Sequence, residues 1–377
     1  MKNTMLNRRR FIVSSAMSLA GFTTACSRFS LIDKELENGP GKGSWQHVEP
    51  DLVGLSQKSL IEAANKLGLA GERQGIVVVR HGKIAFEKYW ANDWALANPE
   101  WKNVSFSSGK SWGSTMVGRA VTEGKIDVKD LASQYYSPAE SGLHPQTTIQ
   151  HLLTMSSGGT MNMKPSSIPP KKLSDKTLAG VGAEYQWYEE AEKGTPPGYG
   201  KSIKPGEKYF YDGAPADHLA NIISVATGKT SYQYMMEHVI TPLGCRHFEY
   251  QKEGVDSAGN VRFGGSILIS CRDMARLGQL YLNGGRWNGE QLISENYIQD
   301  AVASSQVNPA YGYLWWLNYT SRVKNAPSSM YFAAGARGQF CFVLPEQDMV
   351  ITTMGFGKVS LSANDAWQYL SKILPIV

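Results

Sequence analysis

The β-rich runs of this chain lie near its two ends with a long helical stretch between them, and that order narrows the folds open to it more than any other feature. Gly75 to Val79 and Ile84 to Tyr89 are rich in β-branched and aromatic residues and are joined by Arg80-His81-Gly82-Lys83, the layout of a hairpin. Strand signals return only at Tyr313 to Asn318, Tyr331 to Ala334, Gln339 to Leu344 and Met349 to Met354. In between, apolar spacing predicts helices at 108–123, 147–155, 216–227, 231–239, 271–283 and 293–303. A helix from Ser56 to Leu69, with Ser56 as its cap, precedes the first strand, and one from Ala363 to Leu374 follows the last. Two separated groups of strands bury their apolar faces best by joining. The pattern therefore predicts an α+β fold with one sheet drawn from about 50–105 and 306–377, flanked by the terminal helices. An all-helical lobe, about 106–305, is inserted between the two pieces.

The first residues read differently. Lys2 and Arg8-Arg9-Arg10 precede an apolar stretch from Phe11 to Ala25, the layout of an export signal. Arg8 to Ile12 resembles a twin-arginine signal, carried by proteins exported already folded. Phe22-Thr-Thr-Ala-Cys26 is similar to a lipoprotein processing box, with Thr23 where Leu is usual. Residues 1–26 are thus expected to direct export to the periplasm, with a lipidated Cys26 as membrane tether; cleavage after Ala25 to a soluble product is the alternative. Residues 27–49, polar and ending in Gly39-Pro-Gly-Lys-Gly-Ser44 before Trp45, are expected to be a linker, with the folded domain over 50–377.

The signal also accounts for the charge. It holds four of the 38 basic residues and no acidic ones, leaving 34 basic against 33 acidic. No basic stripe with interleaved aromatics remains, so nucleic acid is not an expected partner. Cys245, Cys271 and Cys341 form no close pair, and no histidines join them at zinc-ligand spacing. Neither a metal nor a cofactor is expected. The cysteines read as free thiols, with a Cys245–Cys271 bridge left open.

Ser107-Ser-Gly-Lys110 carries the chemistry. A serine hydroxyl is a poor nucleophile near neutral pH unless a base and a positive field adjoin it, and three residues of helical spacing bring Lys110 onto the same face. Trp112, Met116, Val117, Ala120 and Val121 follow at helical spacing up to Gly124, which places Ser107 at a helix N-terminus whose free N–H groups favour an oxyanion. Ser321-Arg-Val-Lys324 repeats the spacing without the helix. Gly109-Lys-Ser111-Trp-Gly113 fits Gly-x-Ser-x-Gly, but that elbow needs a later histidine and none follows His247. The irregular stretch 160–205, with Trp187 and Tyr188, reads either as a substrate-covering loop or as disorder.

From about residue 50 onward the chain resembles the serine β-lactamase and penicillin-binding-protein superfamily, in its class C-like branch of esterases, D-aminopeptidases and 6-aminohexanoate-dimer hydrolases. The blocks that carry the likeness are Ser107 to Lys110, Thr148 to Gly158, Pro205 to Gly228, Gly264 to Gly278 and Gly284 to Gly289. The resemblance implies an antiparallel sheet and a small-molecule ester, amide or peptide substrate. It implies Ser107 as the acylated nucleophile, with Lys110 and Tyr211 handling the proton. Ala336 N–H would join Ser107 N–H as oxyanion donor, beside Gly335 and Arg337.

Two blocks depart from the family. Tyr211-Asp212-Gly213 stands where Tyr-x-Asn is usual, and Ala333-Ala334-Gly335 where Lys or His, a small residue and Gly are usual. Without the cation at 333, the expectation shifts from β-lactam toward ester or amide hydrolysis, with Arg337 as a substitute anion donor. A β-lactamase, a D-alanyl-D-alanine carboxypeptidase and a non-catalytic envelope protein are the alternatives.

Overall fold

The computed structural model describes residues 39–93, 95–135, 143–160, 202–209, 211, 214–263, 266–356 and 359–375. The expected export signal and Cys26 lie outside these residues, as do the first part of the linker, Asp212-Gly213, and most of the irregular stretch.

Both ends of the chain do meet in one sheet. Strand β1 (Arg73–Arg80) pairs antiparallel with β2 (Lys83–Tyr89) on one side. On its other side lies the last strand of the chain, Val77 opposite Thr352 and Val79 opposite Val350. The small strands β3 (Asn103–Val104), β4 (Phe248–Tyr250) and β5 (Ile267–Ile269) make a separate sheet in the order β3-β5-β4. With β6 (Trp316–Leu317), β7 (Tyr331–Gly335), β8 (Gln339–Leu344) and β9 (Met349–Gly355), the main sheet runs β6-β7-β8-β9-β1-β2, antiparallel throughout.

Strand periodicity divides the core. Ile76, Val78, Phe340, Phe342 and Ile351 point to one face, where they meet Leu60, Ala64 and Leu67 of helix α1 (Gln57–Gly71), and Trp367 and Leu370 near the C-terminus. Val77, Val79, Val343 and Val350 point to the other face, toward the helical lobe. Because both faces are covered, β1 reads as an unbroken apolar run rather than an alternating one. Each fully buried aliphatic or aromatic side chain contributes roughly 1.5–3 kcal/mol.

In the lobe, α2 (Lys110–Thr122) and α3 (Ile149–Leu153) pack with α4 (Ala214–Thr227). Helix α5 (Cys271–Leu282) lies on the sheet at Gly278, where a Cβ would stand 2.5 Å from Val350 Cγ1 and 2.7 Å from Cys341 Sγ. Helix α6 (Glu295–Ala301) follows, and α7 (Ala363–Leu370), capped by Ser362, packs on α1.

Three expectations are corrected. Residues 39–49 are not a free tether: Arg276 donates to the carbonyls of Gly41 (2.7 Å) and Gly43 (2.6 Å), and buried Trp45 donates to Arg272 O. Glycines suggest flexibility, but here their unhindered carbonyls cap a buried guanidinium. The lobe over about 106–305 is not all helical, since β4 and β5 lie within it. The expected strand Tyr313 to Asn318 shrinks to Trp316–Leu317, because Tyr313 N–H bonds to Ala301 O and Leu314 N–H to Leu153 O in the lobe instead of joining the ladder. All three described cysteines are free thiols, so the Cys245–Cys271 bridge is not formed.

Candidate active site

Ser107 lies in a tight 3-10 turn, Phe106–Gly109, that leads straight into α2. The small central sheet delivers it: Ser105 N–H bonds to Ile267 O at 2.8 Å, just after β3 pairs with β5. Phe106 then adopts φ +46, a left-handed conformation that costs an aromatic residue about 1–2 kcal/mol. Ser108 Oγ donates to Ser105 O at 2.7 Å and holds the turn closed.

One turn along, Lys110 is 3% exposed and its Nζ donates to Ser107 Oγ at 3.2 Å. Among the described residues no carboxylate forms an ion pair with it. The spacing read from sequence thus becomes a direct contact.

Tyr211 arrives from the segment ahead of α4. Its ring centroid is 5.0 Å from Lys110 Nζ, within the range of a cation–π contact. Trp316 stacks on the Tyr211 ring, 5.4 Å between centroids and 27° between planes. Tyr311 meets Tyr211 edge-on at 6.0 Å and Trp316 at 4.7 Å, and the Arg322 guanidinium sits 3.9 Å from the Trp316 centroid. Burial, with Tyr211 adding to it, pushes the phenols of Tyr209 and Tyr311 well above the usual tyrosine range. Both remain protonated around Tyr211. Trp316 and Arg322 were not anticipated as site residues; the aromatic run Tyr311 to Trp316 was the available signal.

The third contribution is the end of β7. At Gly335 a Cβ would collide with Ser105 O and stand 3.1 Å from Ser108 N, so only glycine lets the strand approach the serine turn this closely. The following turn exposes Ala336 and Arg337, and the Arg337 guanidinium lies 5.7 Å from the Phe106 ring centroid. Ala333 is 1% exposed and its methyl offers no donor.

The rival serines do different things. Ser111 is 1% exposed inside α2 and donates to Leu314 O at 2.8 Å, and the sheet above it is antiparallel, not the parallel sheet of a Gly-x-Ser-x-Gly elbow. Ser321 occupies a loop at φ +56 with no helix after it.

A family model described as Beta-lactamase matches residues 58–370. Among curated proteins, the chain is 23% identical over 192 residues to Protein flp of Staphylococcus aureus, covering 48% of this chain and 35% of that one. It spans about a third of that relative's length. To the 6-aminohexanoate-dimer hydrolase of Paenarthrobacter ureafaciens it is 20% identical over 298 residues, covering 74% of this chain and 71% of the hydrolase. Among solved structures, a family VIII carboxylesterase superimposes with a TM-score of 0.63 at 15% identity, covering 84% of this chain and 96% of the esterase. At that identity the likeness shows the fold alone.

Proposed function

The chain belongs to the beta-lactamase family, and from that premise we propose that it is a serine hydrolase cleaving an ester or amide bond through an acyl-serine on Ser107. The observation that carries the reading is the 3.2 Å contact of Lys110 Nζ with Ser107 Oγ, with the Tyr211 ring against the same nitrogen.

Ser107 Oγ forms a bond to the substrate carbonyl carbon as its proton passes to the Lys110–Tyr211 pair. The carbonyl π electrons move to oxygen, where the N–H groups of Ser107 and Ala336 receive the charge. Collapse breaks the bond to the leaving alcohol or amine, which takes up the proton. Water then repeats the sequence on the acyl-enzyme, releasing the acid and the free serine. Lys110 and Tyr211 act as a coupled pair, so the proton acceptor is the pair rather than one residue.

Ala333 supports ester or amide turnover over β-lactam turnover, since it supplies no cation for an antibiotic carboxylate. The names of two similar proteins, a 6-aminohexanoate-dimer hydrolase and a family VIII carboxylesterase, support the same reading. Exposure to a fluorophosphonate is expected to add one phosphonyl group to the protein and none to Ser107→Ala; persistent labelling of that variant would remove Ser107 from the role. Rates on nitrophenyl esters are expected to exceed those on a chromogenic cephalosporin, and the reverse order overturns the substrate reading. For residues 1–26 the proposal is export with lipidation of Cys26. A fatty-acid probe would then label the chain but not Cys26→Ala.

A further inference from the structure

Arg73 opens β1, is 1% exposed, and stands out neither by motif nor by family likeness. Its Nε donates to Thr353 Oγ1 at 3.0 Å and its Nη2 to Gly338 O, while Nη1 is buried without a hydrogen-bond partner. Among the described residues no carboxylate pairs with it. Burial lowers its pKa to about 10, with the Cys271 thiol acting in the opposite sense, so the group is cationic at neutral pH. Burying a cation without a carboxylate partner carries a heavy desolvation cost.

What it touches gives that cost a use. The turn between β7 and β8 contains two consecutive left-handed residues, Arg337 at φ +62 and Gly338 at φ +83. For a non-glycine residue such a conformation is strained and persists only when its surroundings enforce it. Gly338 is gripped from both sides: its N–H donates to Gly335 O at 3.2 Å, and its carbonyl accepts from Arg73. The Gly335 carbonyl belongs to the same peptide plane as the Ala336 N–H. Fixing one fixes the direction of the other. Around this grip, Gln339 bonds to both backbone groups of Gly355, and Asn103 Nδ2 donates to Gly355 O at 2.8 Å, tying the turn to the strand that leads into Ser107.

We propose that Arg73 is a positioning residue for acyl transfer at Ser107: its buried guanidinium, unpaired with any carboxylate among the described residues, locks the Gly335–Gly338 turn that aims the Ala336 N–H and sets a positive field behind that turn. The inference rests on the acyl-serine reading. In a dry interior such a field is weakly screened and is already in place before charge develops.

The test compares Arg73→Met, neutral and shorter, with Arg73→Lys on a nitrophenyl ester, together with inhibition by phenylboronic acid, whose serine adduct carries the oxyanion's charge. Arg73→Met is expected to lower kcat about 10- to 100-fold with KM within about twofold, and to weaken boronate binding in proportion. Arg73→Lys should fall between, keeping the charge but not the two-pronged grip. A folded Arg73→Met with wild-type kcat and boronate affinity overturns the inference. Should Arg73→Met not fold, Thr353→Val decides: kcat lowered by about 3- to 10-fold at constant KM supports the proposal, and unchanged kcat overturns it. Fluorophosphonate labelling of the wild type separates the two levels. A wild type that neither labels nor turns over defeats the acyl-serine reading itself, whereas a labelled, active wild type matched by Arg73→Met defeats only the role of Arg73.

Discussion

Lys110 shows how much a single position can hold. It is buried and faces a serine hydroxyl and an aromatic ring rather than a carboxylate, an arrangement that contributes little to folding. Replacement by Met, of similar volume and without a polar end, is expected to leave the melting temperature equal or higher while kcat/KM falls about 10²- to 10⁴-fold. Ester turnover read beside thermal melts checks this; a variant within tenfold of wild-type rate would remove Lys110 from the chemistry. The pairing with Ser107 was legible because three residues of helical backbone fix it locally. Tyr211 was legible only through family likeness, since one tyrosine among 18 carries no spacing signal. Arg73 had no such aid, for its partners Thr353 and Gly338 lie far along the chain.

The elements that matter most are the shortest. Two- and three-residue strands β3 and β5 set the entry into the serine turn, and β7 closes on it at Gly335. Gly335→Ala is expected to push β7 off the Ser105 carbonyl, costing about 1–3 kcal/mol of stability and a larger share of activity. Denaturant melts and ester kinetics on that variant test it, and full activity would show that the approach is not needed. The long strands β1, β8 and β9 were readable within a residue or two, because their apolar runs are long enough to show a pattern. β3, β4 and β5 were missed because so few residues display no period, and their pairing is decided by what lies beside them.

Across the whole molecule, Glu87 joins three parts of the chain. It sits on β2, accepts from Arg272 of α5 (Nε at 2.8 Å) and from Tyr89 (2.7 Å), and contacts His47 of the docked N-terminal segment at 3.0 Å. Burial alone would raise its pKa, but the hydrogen bonds from Arg272, Tyr89 and His47 outweigh it and hold the carboxyl at about 2. A carboxylate depressed in the folded state stabilises it above the unfolded value near 4.3, and this contribution disappears as pH falls through about 2. Glu87→Gln is therefore expected to melt below the wild type at pH 5 to 7, with the two curves converging near pH 2. A constant gap across that range would refute the linkage. The sequence alone determined the helices and long strands, their order, and the Ser107–Lys110 pair, because backbone periodicity is a local property that side-chain pattern reports directly. Only the tertiary structure brought Tyr211 against Lys110, Gly335 against the serine turn, and Arg73 against Gly338 in the turn that follows. Arg73 reaches Thr353 across 280 positions, and such a contact depends on strand register and on burial against the rest of the fold, neither of which any local stretch of residues encodes.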